Sequence, residues 1–179
     1  LAIGKAVRAH HPGAELLYVG GRRGMESRIV PQQGIAFEAI DITGFRRKLS
    51  WDNVRTIARF WQGVRRSKAL LRKFKPDAVV GTGGYVCGPV VYAAARLGIP
   101  TLLHEQNVEP GLTNKFLSRY ADAVAVSFRE SLPYFKRVSD VVDAGNPCAS
   151  AVLGGDAGRG FASLGLKAGT PFFVVVGGS

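Results

Sequence analysis

The sequence has only two cysteines, one methionine and no long apolar run. The two cysteines, Cys87 and Cys148, are too few for a disulfide framework or a zinc cluster, so we expect a reducing cytoplasm. No segment approaches the roughly 20 apolar residues that cross a bilayer as a helix. We see neither a signal peptide nor a lipidation motif. The 23 glycines follow no fixed period, which excludes a collagen-like fibre.

The composition is that of a globular protein with its own hydrophobic core. Of the 179 residues, 46% are hydrophobic and 21% are charged, which argues against intrinsic disorder. The only methionine is Met25, a helical pattern already runs at Leu1, and the chain stops in a glycine turn after Val176. We therefore interpret the sequence as part of a longer protein, so a missing site does not exclude a function.

Positive charge is concentrated in one segment. The formal net charge is +11. Eleven Lys or Arg residues and a single acid, Asp52, lie between Phe45 and Lys75, while the rest of the chain is close to neutral. A basic segment of this kind indicates an anionic partner more strongly than a basic average does.

Short apolar runs alternate with helical patterns along most of the chain. Strands are predicted at residues 15–20, 35–42, 78–80, 101–103, 123–127 and 140–142. Helices are predicted at 1–10, 25–33, 88–97, 110–120 and 130–137, with a long one from Ser50 or Asp52 to Phe74. This alternation predicts an α/β fold with a mostly parallel sheet, in which ligands bind at the carboxyl ends of the strands. Residues 154–170 have the composition of a linker.

A glycine loop, residues 81–89, follows the strand at 78–80 and precedes a helix. Its glycines allow backbone N–H groups to approach a phosphate or diphosphate closely, and the helix start adds partial positive charge. The motif is neither a P-loop nor the dinucleotide fingerprint, because its glycine spacing and following residues differ. A tight strand-to-helix turn without a ligand is the alternative. Cys87 within it is expected to be a small packing residue.

Four polar residues, at positions 104–107, follow the strand at 101–103. Glu105 could accept a hydrogen bond from a sugar hydroxyl, Asn107 could bond an amide or hydroxyl, and His104 or Glu105 could act as a base. The alternative is that His104 and Asn107 only anchor the loop. Thr113 or Asn114 is expected to cap the next helix.

The basic segment also carries apolar residues at helical spacing. Much of this face is expected to pack in the core, yet two tryptophans among many cations also suit an anionic membrane surface. A nucleic-acid partner would suit the charge, but no module signature for DNA or RNA binding is present. A solvated helix face is the remaining alternative. The apolar residues are Trp51, Val54, Ile57, Ala58, Phe60, Trp61, Val64, Leu70, Leu71 and Phe74.

Several motifs together resemble a family of bacterial peptidoglycan glycosyltransferases, which move N-acetylglucosamine from UDP-GlcNAc onto lipid I to make lipid II. The similarity runs from Gly20 to Ser179. It rests on the glycine loop, on residues 103–107 and 110–115, on Ala121-Asp122, on residues 126–128, on Gly145-Asn146-Pro147 and on residues 175–179.

The resemblance implies the N-terminal half of a GT-B fold, a Rossmann-like parallel sheet lacking its first strand. Residues 1–150 would be the acceptor-binding domain, 151–170 an interdomain linker, and 171–179 the first strand and glycine turn of the C-terminal donor domain. The expected activity is inverting transfer to the C4 hydroxyl of MurNAc in lipid I, without a metal or other cofactor. The isolated chain is expected to be inactive.

The resemblance also assigns site residues. Gly83, Gly84, Tyr85, Glu105 and Asn114 would bind the acceptor and its diphosphate, and Asn107 and Ser179 would bind the donor. The favoured base would precede Leu1, with Glu105 as a possible substitute. After Gly-Asn-Pro the family usually has a hydrophobic residue and a donor-binding Arg, where this chain has Cys148 and Ala149, although Arg159 could replace that contact. A membrane patch is implied at Arg46, Arg47, Lys48, Trp51, Arg55, Arg59, Trp61, Arg65 and Arg66.

The expected partners are lipid I, UDP-GlcNAc, the missing C-terminal domain and the anionic inner leaflet, with no nucleic acid. The protein would be peripheral on the cytoplasmic face of the bacterial inner membrane. Two alternatives stay open. One is another GT-B enzyme using a UDP-sugar, such as a glycolipid glycosyltransferase or a UDP-GlcNAc 2-epimerase. The other is a non-catalytic basic module that binds membranes or nucleic acid.

Overall fold

The computed structural model describes residues 1–40, 52–149 and 154–173, with side chains in the second range from residue 57 onward. The chain divides into two compact units, Leu1–Asn146 and Pro147–Ser179. Within the described ranges, all of the strands belong to the first unit.

Strands and helices alternate along the first unit, and this confirms the predicted α/β class. A 3₁₀ helix, Arg129–Phe135, precedes β6 (Asp140–Asp143). In chain order the other elements are α1 (Ala2–His10), β1 (Leu17–Gly20), α2 (Glu26–Gln32), β2 (Ala36–Ala39), α3 (Asp52–Phe74), β3 (Val79–Gly81), α4 (Cys87–Arg96), β4 (Thr101–Glu105), α5 (Leu112–Leu117), β5 (Ala123–Val126) and β6 (Asp140–Asp143).

All strand pairs in the described ranges are parallel, and they form two sheets. β1 pairs with β2, and the second sheet has the order β3-β4-β5-β6. In that sheet Gly81 lies opposite Leu103, and Glu105 lies opposite Val126. The carboxyl ends of β3, β4 and β5 therefore lie side by side, which brings the loops that follow them to one edge.

The core lies around β4 and β5 and the helices packed on them. Leu103, Val124 and Val126 are fully buried, and α4 contributes Val91. The apolar face predicted for α3 is divided: Val64 and Leu71 are buried, whereas Ile57 is 49% exposed and Trp61 is 52% exposed. Only part of that face is therefore used for core packing.

Two helices differ from their predicted form. α5 ends at Leu117 instead of Tyr120, and the hydroxyl of Ser118 donates to the carbonyl oxygen of Lys115, competing for an acceptor that would continue the helix. The segment predicted as a helix at 130–137 is a 3₁₀ helix containing Pro133, which has no N–H to donate.

The described residues of the second unit include the helix α6 (Ala157–Ser163). The carboxylate of Asp156 caps it by accepting a hydrogen bond from the N–H of Arg159 at 2.7 Å. This helix lies inside the predicted linker, where the glycine-rich composition did not indicate it. Ser179, expected to bind the donor, lies outside the described residues.

Candidate functional site

The glycine loop leaves β3 along a path that requires glycine. Gly83 and Gly84 have φ angles of +87° and +82°, values that side-chain-bearing residues rarely adopt. At Gly81 a Cβ atom would lie 2.6 Å from the sulfur of Cys87, so the strand end and the start of α4 are in close contact. Tyr85, in contrast, is 62% exposed at the loop surface.

The buried thiol of Cys87 accepts hydrogen bonds from the glycine loop. Burial raises the pKa of its thiol to about 11, although backbone N–H groups of Gly83 and Thr82 donate to the sulfur and oppose the rise. A thiol with this pKa is protonated at neutral pH and is a poor nucleophile. Its contacts support the expected role as a small packing residue.

Glu105 is the centre of a hydrogen-bonded cluster at the end of β4. The prediction that this strand ends at Leu103 is wrong, because Glu105 pairs in the sheet with Val126. Its side chain is only 1% exposed. One carboxylate oxygen, Oε1, accepts from the backbone N–H of Asn107 at 2.9 Å and from its Nδ2 at 2.8 Å. The other, Oε2, accepts from the N–H of Gly111 at 3.1 Å and from Nδ2 of Asn114 at 2.9 Å.

Two opposing effects act on the pKa of Glu105. Burial raises the pKa, because it removes water from the charged carboxylate, but the hydrogen bonds from Asn107, Asn114 and Gly111 favour the charged form. The hydrogen bonds prevail, and the pKa is lowered from its ordinary value of 4.5. Glu105 is therefore a buried carboxylate that is ionised at neutral pH.

Asn114 links this cluster to the glycine loop. A Cβ atom at position 83 would lie 3.6 Å from its Nδ2 atom, so Gly83 lies directly beside the amide. The expectation that Thr113 or Asn114 caps α5 is wrong: Gly111 is the N-cap residue and no side chain caps the helix. The Asn114 amide is instead used by Glu105. Four of the predicted residues, Gly83, Glu105, Asn107 and Asn114, are thus brought together, and Asn107 is exposed.

His104 anchors neighbouring backbone. Its Nδ1 atom lies 2.9 Å from Nε2 of Gln106, which can only donate, so Nδ1 accepts. The other ring nitrogen, Nε2, then carries the proton and donates to the carbonyl oxygen of Gly145 at 3.2 Å. The ring is 3% exposed and both nitrogens are used within the protein. This geometry matches the anchoring alternative and not a base.

An aromatic cluster joins α3, α4, α5 and the turn that follows α5, next to the glycine loop. Ring centroids of neighbouring members are 5.0–6.2 Å apart. A Cβ atom on Gly88 would lie 3.4 Å from the ring of Phe60 and 3.8 Å from the methyl group of Thr113, so the cluster borders the start of α4. Several of its rings are partly exposed. The members are Phe60, Trp61, Tyr92, Phe116 and Tyr120.

Three of these rings, Tyr92, Phe116 and Tyr120, were not predicted as part of a surface. The helical spacing of Phe116 and Tyr120, four residues apart, is the signal that could have indicated a shared face. Tyr92 offered no such signal, because its neighbours in the cluster come from other helices.

Cations accompany the exposed part of α3. Arg59, Arg65 and Arg66 are exposed, as is Trp61. Of the remaining predicted patch residues, Arg46, Arg47, Lys48 and Trp51 lie outside the described residues, and so does the side chain of Arg55. No helix in the described ranges has both the length and the apolar character to cross a membrane. In the same ranges, no group of His, Cys, Asp and Glu is arranged to hold a metal ion.

The sequence model of the glycosyltransferase family 28 N-terminal domain matches residues 1–126. Two similar curated proteins are both named UDP-N-acetylglucosamine–N-acetylmuramyl-(pentapeptide) pyrophosphoryl-undecaprenol N-acetylglucosamine transferase. The one from Halalkalibacterium halodurans is 58% identical over 92% of this chain and 45% of its own length. The one from Bacillus subtilis is 52% identical over the whole of this chain and 49% of its own length. The chain thus spans about half the length of these relatives.

Solved structures agree with the sequence match. The crystal structure of MurG from Acinetobacter baumannii is 35% identical to this chain, with a TM-score of 0.65 over 82% of this chain and 40% of that one. A UDP-N-acetylglucosamine 2-epimerase from Rickettsia bellii has a TM-score of 0.55 over 90% of this chain and 46% of that one. Its identity is 18%, so this second likeness shows the fold alone.

Proposed function

Because this chain belongs to glycosyltransferase family 28, we propose that it is the acceptor-binding half of an enzyme that makes lipid II. The reaction is transfer of N-acetylglucosamine from UDP-GlcNAc to the C4 hydroxyl of MurNAc in lipid I. The hydroxyl oxygen attacks C1 of the donor sugar from the face opposite UDP, so the configuration at C1 inverts. A base must take the hydroxyl proton, and positive groups must stabilise the departing UDP.

The observation that carries this proposal is the contact between two surfaces. The glycine loop and the exposed Asn107 beside it form one surface, and the aromatic cluster beside the exposed arginines of α3 forms the other. They meet at Gly88, which packs between Phe60 and Thr113. An acceptor with a lipid tail and a diphosphate needs this combination of a membrane-facing surface and an anion-binding loop.

We assign the following site roles as part of this proposal. The N–H groups of Thr82 and Gly83 bond the sulfur of Cys87, so Gly84 and Tyr85 are the loop residues we assign to the acceptor diphosphate. Asn107 is exposed at the edge of the same cluster and is assigned to the donor sugar. We keep Ser179 as a further donor contact.

The membrane role rests on charge and exposed apolar area. Trp61 and Ile57 are about half exposed and lie one helical turn apart on α3. Exposed arginines at positions 59, 65 and 66 flank them. Aromatic rings bind the interfacial region of a bilayer, and each Lys or Arg near an anionic leaflet adds about 1 kcal/mol. We therefore place the enzyme on the cytoplasmic face of the bacterial inner membrane.

Binding to vesicles tests acceptor recognition. The chain is sedimented with anionic vesicles that contain lipid I, or that contain undecaprenyl phosphate at equal surface charge, at low and high salt. We expect lipid I vesicles alone to retain the chain at high salt. Retention that does not depend on lipid I and is lost in salt would overturn the acceptor assignment. Equal competition by nucleic acid would favour the basic-module alternative.

A matched pair of variants locates the binding. Tyr85→Ala should remove most of the lipid I-dependent retention, because Tyr85 is exposed on the glycine loop. Tyr134→Ala removes a similarly exposed ring from the 3₁₀ helix, and this variant should bind lipid I as the unmodified chain does. Equal losses in the two variants would contradict the role assigned to the glycine loop.

A further inference from the structure

We propose that Glu105 is a positioning residue that stays ionised and fixes the shape of the loop at residues 106–111, and that it neither acts as the base nor contacts the acceptor. The statements about the base and the acceptor rest on the proposed function. The statement that Glu105 fixes the loop does not, because its hydrogen bonds lie within the protein.

The carboxylate of Glu105 has no lone pair left for chemistry. A carboxylate can accept about four hydrogen bonds. Each oxygen of Glu105 already accepts two, from donors 2.8–3.1 Å away. All four donors are neutral N–H groups, so a proton on either oxygen of Glu105 would displace at least one of these bonds. A group in this position is suited to holding a structure and not to taking a proton from a substrate.

Glu105 fixes both ends of the loop that contains Asn107. The backbone N–H groups of Asn107 and Gly111 both point to this one side chain, which closes the loop at both ends. Gly111 is also the N-cap of α5, so the same carboxylate sets where that helix begins. Asn114, on the first turns of α5, adds a third connection at 2.9 Å.

The contact with Glu105 also determines which way the Asn107 amide faces. Its Nδ2 atom donates to Oε1 of Glu105, so its carbonyl oxygen is on the opposite branch of the amide. Asn107 is exposed. It therefore presents its Oδ1 atom as an acceptor, which suits a sugar hydroxyl or an N-acetyl N–H of a ligand.

The Asn114 amide is oriented by the same logic. Its Nδ2 atom faces two acceptors, the carboxylate of Glu105 and the carbonyl oxygen of His104, at 2.9 and 3.4 Å. Its own Oδ1 atom is buried and has no hydrogen-bond partner among the described residues. Asn114 therefore supports Glu105 from inside the protein.

The experiment exchanges the carboxylate and the amide of the Glu105–Asn114 hydrogen bond between the two positions. Glu105→Gln places an NH2 group against N–H donors. The double variant Glu105→Gln/Asn114→Asp restores one bond in the reverse direction, because the new amide at 105 can donate to the new carboxylate at 114. Glu109→Gln is the matched control, since it removes the same charge from an exposed glutamate of the same loop. All variants are made in the full 179-residue chain.

Amide hydrogen exchange at Asn107 and Gly111 is the first readout. We expect Glu105→Gln to speed exchange at both positions at least about tenfold. Glu109→Gln should leave both rates unchanged. The double variant should recover protection at Asn107, whose N–H faces the remaining side-chain oxygen at position 105, but not at Gly111, whose N–H faces the new NH2 group. Unchanged exchange in Glu105→Gln, or no recovery in the double variant, would overturn the inference. The amide of Val124 in the core reports global unfolding, so any change in its exchange rate in a variant is subtracted from the changes at Asn107 and Gly111.

Retention on lipid I vesicles is the second readout, and it separates this inference from the proposed function. If Glu105 only positions the loop, the double variant should regain lipid I binding that Glu105→Gln has lost. If Glu105 contacts the acceptor or acts as the base, moving its charge to position 114 should not restore binding. Failure of the unmodified chain to bind lipid I would count against the proposed function, while the exchange rates would still decide the role of Glu105.

Discussion

Replacing Arg65 and Arg66 together by glutamine should weaken binding of the chain to anionic vesicles about 30-fold. Both residues are exposed on α3. Near an anionic surface each arginine contributes about 1 kcal/mol, so the pair contributes about 2 kcal/mol, and each 1.4 kcal/mol is a factor of about ten. The loss should be largest at low salt, because the Debye length falls from about 10 Å at 0.1 M to about 3 Å at 1 M.

Trp61→Ala removes a different part of the same interaction. Trp61 is 52% exposed. A tryptophan side chain presents up to about 250 Å², so roughly half of that area is available to the bilayer, worth about 3 kcal/mol at 25 cal/mol per Å². Because this contribution is hydrophobic, its loss should not depend on salt.

Sedimentation with phosphatidylglycerol-containing vesicles over a salt series measures both effects. The control Lys136→Gln/Arg137→Gln removes two charges from exposed residues that follow the 3₁₀ helix. It should weaken binding less than threefold. A control that weakens binding as much as Arg65→Gln/Arg66→Gln, or an Arg65→Gln/Arg66→Gln variant with an unaltered salt slope, would refute a specific role for α3. The basic residues would then be a solvated face.

Three further predictions concern the polar cluster and the glycine loop. Asn107→Ala is made in a hybrid enzyme in which this chain replaces the corresponding residues of the Bacillus subtilis relative. It should lower kcat more than about tenfold while the melting temperature changes by less than about 2 °C. Steady-state kinetics and calorimetry check this, and unchanged kinetics would count against a role in the site. Burial raises the pKa of Glu105, but its hydrogen bonds lower the pKa by more, so the folded-state pKa lies below the ordinary value of 4.5. The ionised carboxylate therefore stabilises the fold fully above pH 4.5, and this stabilisation is lost as the pH falls through the folded-state pKa. Chemical denaturation of the wild type and of Glu105→Gln should therefore differ most at neutral pH and least in acid; a constant difference would contradict the ionised assignment. With a pKa of about 11, Cys87 should react with iodoacetamide far more slowly at about pH 8 than the exposed Cys148, and mass spectrometry of the labelled chain tests this.

The sequence predicted those features that depend on local pattern. The alternation of apolar strands with helices and the positions of the turns are set by periodicity and by Gly and Pro, so α/β class and parallel pairing were predictable. The location of the glycine loop and of Glu105 at the carboxyl edge followed from the same pattern. The resemblance to a known family then supplied the roles.

Other features depend on contacts between distant residues and could not be predicted in this way. β4 extends through the polar residues His104 and Glu105 because β5 provides a hydrogen-bonding neighbour as far as Val126. Asn114 does not cap its helix because Glu105 competes for its amide. The aromatic cluster combines rings from three helices, and no periodicity within one helix indicates which rings of the others complete it.

Transfer activity of a hybrid enzyme tests the central claim most directly. In this hybrid the present chain replaces the corresponding residues of the Bacillus subtilis relative, to which it is 52% identical over its whole length. The hybrid is first shown to unfold in a cooperative transition, and is then given radiolabelled UDP-GlcNAc and lipid I. We predict that label appears in lipid II and that no label is transferred to an acceptor lacking the MurNAc diphosphate. A folded hybrid that leaves lipid I unmodified, or that glycosylates a different lipid, would contradict the account.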